Sequence, residues 1–174
     1  RGPRREALGR TACRSVDPRA PTAMCLAIQA DCAAGYKLRG LFTRDFGVWR
    51  EGQGVERMIF DPIFARGTRL PSAGDPPLAV SRAYRPVHNI GDFRYIEASH
   101  LSNNGEPAGD IAVWDEILFP FDPALRHTSA LEGLPVLRSD DVTGQEIEEQ
   151  YACDATGLVK VTIRNLTANY SQEF

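Results

Sequence analysis

The chain has 174 residues, a length that fits one domain of ordinary size or one domain with a fragment of another, and enough to bury a sizeable core. Its net charge of −3, with both signs mixed, gives no global field for nucleic acid or an anionic membrane, and no apolar run approaches the ~20 residues of a membrane span. Arg1, Arg4, Arg5, Arg10, Arg14 and Arg19 make the first stretch basic, and it reads as a solvated terminus.

From Asp17 to Ala34 the sequence DPRAPTAMCLAIQADCAA is rich in Ala and free of Gly, which predicts a helix beginning near Asp17-Pro18. Its apolar residues surround much of the helix, so it expects burial on more than one side, against the rest of the chain or a second copy. After Gly35 the pattern changes to strand and turn. Candidate strands are Phe46–Arg50, Arg57–Phe64, Ser81–Pro86, Phe93–Ser99, Gly109–Val113, Glu146–Cys153, Leu158–Arg164 and Tyr170–Phe174. Pro71–Pro77 and Leu125–Thr143 read as loops. At the C-terminal end, Asp154-Ala155-Thr156-Gly157 predicts a hairpin turn, with Asp bonding its own backbone and Gly157 at positive φ. A second turn at Asn165–Asn169 completes a three-stranded meander. The fold class is therefore mainly β, a two-sheet antiparallel β-sandwich with an N-terminal α-helix.

Cys13, Cys25, Cys32 and Cys153 have no metal or redox spacing, which predicts reduced thiols and a cytoplasmic protein. The sequons at Asn165 and Asn169 are then incidental. His88, His100 and His127 lie among Asp92, Glu97 and Asp110, with Ser99 or Cys153 as conceivable nucleophiles, but no metal-ligand spacing, nucleophile elbow or phosphate loop organises them. No enzyme is expected in this chain.

Several segments, in order, resemble the heat-shock protein 70 chaperones. Val16-Asp17-Pro18 with Ala23 and Ala27-Ile28-Gln29-Ala30 is similar to the last helix of their ATPase domain. Phe46-Gly47-Val48, followed by a hairpin and Ile63 to Pro71, resembles the opening of their peptide-binding sandwich. Ala108-Gly109-Asp110-Ile111 and Phe121-Asp122-Pro123 fit a later strand and turn, and Ile147, Tyr151, the Asp-Ala-Thr-Gly turn and Val159 to Ile163 resemble the closing strands. The resemblance implies residues 1–35 as the tail of a nucleotide-binding domain, 36–45 as a linker remnant and 46–174 as the peptide-binding sandwich, in a piece of a longer protein that begins here at Arg1. It implies a chaperone fragment that binds short extended hydrophobic segments of unfolded proteins, with no cofactor of its own and ATP and Mg in the parent. Partners implied are unfolded polypeptide, the chain's own nucleotide-binding domain, cochaperones and, through the N-terminal helix, another copy, but no nucleic acid and no membrane.

The same resemblance places the peptide site at Val48 just after Gly47, on a Tyr84 to Tyr95 hairpin, at Val87 in the loop over the peptide, and at Ile147. Counting along that hairpin leaves two registers, Phe93 and Tyr95 inward or Arg94 and Ile96 inward, since a slip of one residue reverses every side chain. The cost of burying an unpaired arginine favours Phe93 and Tyr95. Trp49, beside the long hairpin tip Glu51–Glu56, is either a ligand anchor or part of the core. The stretch Asp31–Asp45, broken by Lys37, Arg39 and Arg44, departs from the family's aliphatic linker, which puts allosteric coupling in doubt. The alternative reading is a non-catalytic interaction or scaffolding module whose cleft is closed by Phe93, Tyr95 and Trp49.

Overall fold

The computed structural model describes residues 40–51 and 58–174. The expected helix at Asp17–Ala34, most of the linker, three of the four cysteines and the tip of the first hairpin lie outside the described residues.

Eight strands follow one another: β1 (Asp45–Glu51), β2 (Met58–Phe64), β3 (Leu78–Tyr84), β4 (Ile90–Leu101), β5 (Pro107–Pro120), β6 (Ile147–Cys153), β7 (Val159–Asn165) and β8 (Tyr170–Glu173). They form two antiparallel four-stranded sheets, ordered β2-β1-β4-β5 and β3-β6-β7-β8. The protein is mainly β, and no described helix is long and apolar enough to cross a membrane.

Alternation decides which face of each strand is buried. In β6, Ile147, Glu149, Tyr151 and Cys153 are buried while Glu148, Gln150 and Ala152 between them are only partly covered. In β7, Val159, Val161 and Ile163 meet them from the neighbouring strand. The first sheet contributes Phe46, Val48, Phe64, Phe93, Tyr95, Ile117 and Phe119 to the same core. Aromatic rings run through it in contact: Phe46 stacks on Phe64 and Tyr95 at 6.3 and 6.0 Å, and Phe119 stacks on Tyr170 of the opposite sheet at 5.5 Å.

Two devices shape the first sheet. A bulge between Tyr95 and Ile96 leaves Trp114 of β5 without a paired residue, and Trp114 turns its edge toward Phe46 and Tyr95, at 5.3 and 6.4 Å. At Gly47 the Phe60 ring crosses the backbone of β1: a Cβ there would lie 2.4 Å from the Asp61 carbonyl oxygen and 2.5 Å from Phe60 Cζ. The glycine of the Phe46-Gly47-Val48 triplet is thus required by a cross-strand aromatic, independently of any ligand.

The C-terminal meander forms as the sequence predicts. Asp154 Oδ1 accepts hydrogen bonds from the backbone N–H of Thr156 at 2.8 Å and of Leu158 at 3.1 Å, and Gly157 has φ +85°. The second turn closes with Ala168 N–H donating to Asn165 Oδ1 at 2.9 Å, and Asn169 takes the left-handed conformation.

The expected Tyr84 to Tyr95 hairpin does not form. β3 and β4 belong to different sheets, with β3 paired along its length to β6 and β4 held between β1 and β5. The intervening Arg85–Asn89 crosses between them, and its backbone pairs with the long β5–β6 connection instead: Ser139 N–H donates to Val87 O at 3.0 Å and Asn89 N–H to Leu137 O at 2.9 Å. With these groups taken, no two-strand ladder can close locally.

Gly47→Ala should force Phe60 or the β1–β2 ladder to move, with a stability loss of about 1–3 kcal/mol typical of overpacking. Urea unfolding of the variant against the parent chain measures it, and an unchanged midpoint would show that Phe60 gives way freely.

Candidate functional site at the loop end of the sandwich

Antiparallel pairing sends the ends of β1, β3, β5 and β7 to one end of the sandwich. That end carries the end of β1 and the start of β2, the 85–89 crossing, the 121–146 connection and the 166–169 turn. Asn89 organises the rim: its side-chain amide donates to Pro135 O at 3.2 Å, its Oδ1 accepts from Leu137 N–H at 2.8 Å, and its carbonyl accepts from Phe121 and Asp122, each at 2.9 Å. Glu51, at the end of β1, accepts a hydrogen bond from Arg138 and lies 3.5 Å from His88 Nδ1. The first strand, the 85–89 crossing and the long connection are therefore tied together at one carboxylate.

Beneath this rim the interior is polar. Glu149 of β6 has no solvent exposure. Its Oε1 accepts from Arg50 Nη1 at 2.7 Å and from the Tyr84 hydroxyl at 2.5 Å, and its Oε2 accepts from Arg50 Nη2 at 2.6 Å and from the Tyr151 hydroxyl. Arg50 uses its Nε on Asp61 of β2 at 2.8 Å, and Arg82 of β3 reaches the same carboxylate through Nε and Nη2 at 3.0 and 3.1 Å. The Arg50 guanidinium also lies 5.7 Å from the centre of the Tyr84 ring, a cation–π distance. The Tyr95 hydroxyl lies 3.4 Å from that of Tyr151. Five strands from both sheets meet in one closed network, and each Glu149 oxygen has two donors.

The electrostatics follow from that closure. Burial, and then the negative charge of Glu149, push the phenols of Tyr84, Tyr95 and Tyr151 above the ordinary tyrosine value. For Arg50, burial alone acts downward, but the hydrogen bond and charge of Glu149 outweigh it and its pKa is raised. Asp61 is lowered because Arg82 and Arg50 outweigh the upward effect of burial. Away from this network, Glu97 is buried with its Oε1 unpartnered, and burial raises its pKa. Burial pushes the Cys153 thiol up to about 11, so it stays protonated at neutral pH.

Of the sequence-predicted site residues, Val48, Tyr95 and Ile147 have no solvent exposure, and Phe93 is 4% exposed. They sit together inside the sandwich: Val48 and Tyr95 are cross-strand neighbours, as are Tyr84 and Ile147, and Phe93 lies 6.3 Å from Tyr95. Phe93 and Tyr95 face inward and Arg94 is at the surface beside Glu116, an orientation set by the pairing of β4 with β1 and β5, since the hairpin whose register was in question does not form. Ile96 is buried as well, yet it belongs to the other face of the sheet, in a row with Gly47 and Val113. Trp49 is also on that outer face, its ring edge-on to Phe60 at 5.8 Å. Tyr84 is half-buried under the rim against Phe121, and Val87 is exposed on the rim.

Arg50, Asp61, Arg82, Glu149 and Asn89 were not among the predicted site residues. One signal for them exists: the inward series Ile147, Glu149, Tyr151, Cys153 places an acid at a core position, and a core acid demands a cationic or multiple-donor partner. Among the described residues, no group of three or more His, Cys, Asp or Glu side chains is placed to hold a metal ion. No protein-family model matches the chain, and no curated protein matches it in sequence.

Removing the Glu149 carboxylate leaves Arg50 without its main counter-charge in the interior, so Glu149→Ala should lose about 3–5 kcal/mol in urea unfolding, while Tyr151→Phe, which removes one hydroxyl, should lose about 1 kcal/mol. The pH dependence has two signs. Because the three phenol pKa values are raised in the folded protein, their stabilisation is complete below the ordinary phenol value of about 10 and declines as pH rises past it. Asp61 runs the other way: its contribution holds above the ordinary Asp value of about 3.9 and is lost as pH falls through its depressed folded value. Thermal melts across pH check both limbs.

Proposed function

We propose that the chain is the substrate-binding β-sandwich of a heat-shock protein 70-like chaperone, a non-catalytic module that takes short extended polypeptide segments at its loop end under ATP control in a longer parent. The observation that carries this reading is the convergence of the end of β1, the 85–89 crossing and the long β5–β6 connection at one end, joined through Glu51, His88 and Arg138. Val87 projects from that rim, where a loop residue can close over an extended ligand. The two-sheet arrangement with its closing meander is consistent with the resemblance.

The interior gives such a site an unusual floor. Tyr84 is half-buried beneath the rim, and Glu149, paired with Arg50 behind it, is closed to solvent, with both its oxygens satisfied within the chain.

A second reading rests on a specific observation. Val48, Tyr95 and Ile147 are completely buried, which suits a sandwich whose cleft is closed and which acts as a protein-interaction or scaffolding module through its surface.

Titration of fluorescein-labelled extended heptapeptides, apolar and mixed, against the chain and a Val87→Trp variant separates the two. The chaperone reading predicts saturable binding that weakens at least tenfold in the variant. Absence of binding by every heptapeptide would leave the closed interaction module.

A further inference from the structure

Of the four sheet edges, β5 is built differently from the rest. It pairs with β4 on one side and with no other described strand on the second side, and its stretch Gly109–Glu116 is largely exposed. Ile111 is 52% and Val113 64% exposed, both on the outer face of the first sheet beside Ala98 and Ile96 of β4. The other edges are guarded or poor templates. β2 is interrupted by Pro62, which has no N–H to offer, β8 is four residues long, and β3 presents only Ala79, Ser81 and Ala83 on its solvent face. Between Ala108 and Phe119, β5 contains no proline and no basic residue. Between a bulge at Gly109–Asp110, where Gly109 has φ +76°, and the bulge at Trp114, Ile111–Val113 is an extended apolar edge with no lysine or proline guard, a short template for strand addition.

Charge selects what is added. The exposed stretch carries Asp110, Asp115 and Glu116 and no base of its own; Glu116 has a surface contact with Arg94 at 3.5 Å. A second copy of β5 is a poor occupant, because the antiparallel registers that use the whole stretch place Asp110 opposite Asp115 or Glu116, and like charges directly opposite one another destabilise a ladder. A strand that alternates Lys or Arg with a β-branched residue fits instead: its apolar side chains extend the row of Ile96 and Val113 on the outer face, and its cations fall on the other face with Asp110 and Asp115, while Glu116 stays opposite Arg94.

We infer that the open edge of β5 is a docking site for an extended basic, alternately apolar segment of a partner polypeptide, bound by strand addition. The main-chain ladder supplies the affinity, Ile111 and Val113 set the spacing of the apolar residues, and Asp110 and Asp115 set the sign. The site uses neither the loop end nor the buried network, so it stands under either reading of the protein's function.

The test is a fluorescence-anisotropy titration of the full chain with a labelled octapeptide of alternating Lys and Val. Three comparisons accompany it: an octapeptide of alternating Glu and Val, a Lys–Val octapeptide N-methylated at every second residue to remove the edge-facing donors, and an Ile111→Lys/Val113→Lys double variant of the chain. Saturable binding of the Lys–Val peptide, lost with the Glu–Val and N-methylated peptides and at least tenfold weaker with the double variant, is the expected result. Equal binding of the N-methylated peptide means attraction by charge alone and overturns strand addition, as does unchanged binding by the double variant. Concentration-dependent dimerisation that the double variant abolishes would assign the edge to a second copy and also overturn the proposal. Should the double variant fail to keep the parent's melting transition, backbone amide shifts in the unaltered chain decide: changes confined to Gly109–Glu116 and its β4 neighbours support the site, and changes centred elsewhere overturn it.

Discussion

A carboxylate with no access to water is the constraint around which the loop end is arranged. Burying an ionised Glu without partners is prohibitive, and Glu149 is tolerated because Arg50, Tyr84 and Tyr151 deliver four donors to its two oxygens. Those donors come from β1, β3 and β6, so the bonds form only when both sheets are in register and at the correct separation. A hydrophobic core tolerates small slips between facing sheets, whereas a two-pronged guanidinium–carboxylate pair does not. The network therefore specifies the fit between the sheets, and Asp61 extends that specification to β2 through Arg50 and Arg82.

The rest of the interior is divided accordingly. Aromatic rings fill the body of the sandwich, from Phe42 and Phe64 through Phe46 and Tyr95 to Phe93 and Phe121. Tyr95 and Tyr151 stand at the boundary, their rings 6.1 Å apart in the aromatic part and their hydroxyls turned to the polar part. Above them Asn89 and Glu51 fasten the long connection with side-chain and backbone bonds rather than with regular structure. At this end the rim segments are held by a few polar residues over the packed sheets, with far fewer buried apolar contacts than the strands beneath them.

How much of this was legible in the sequence varies with how local its cause is. The meander from β6 to β8 was readable because alternation, the Asp154 side chain and Gly157 act within a few residues of each other. Phe93 faces the core and Arg94 the surface, as the cost of burying an arginine suggests, although the hairpin in which that choice was framed does not form. β5 runs seven residues beyond the predicted Val113 because the bulge at Trp114 and the acids Asp115 and Glu116 break the alternation that marks a strand. The crossing at Arg85–Asn89 looked like a hairpin because its alternative partners, Leu137 and Ser139, are remote in sequence. Of the candidate site, the burial of Val48 and Ile147 could be anticipated from their strands, but Arg50 and Glu149 are separated by 99 positions and nothing near either residue names the other.

The central claim is that Arg50 and Glu149 act as one unit that holds the two sheets in register, and a double-mutant cycle on stability tests it most directly. Arg50→Met, Glu149→Leu and the double variant are unfolded in urea alongside the parent chain. The account predicts that each single change is strongly destabilising and that the double variant is much less so than their sum, with a coupling of about 2–3 kcal/mol, at the upper end for residues in one network. Additive losses, with a coupling within about 0.5 kcal/mol of zero, would contradict it and reduce the pair to two independent polar residues.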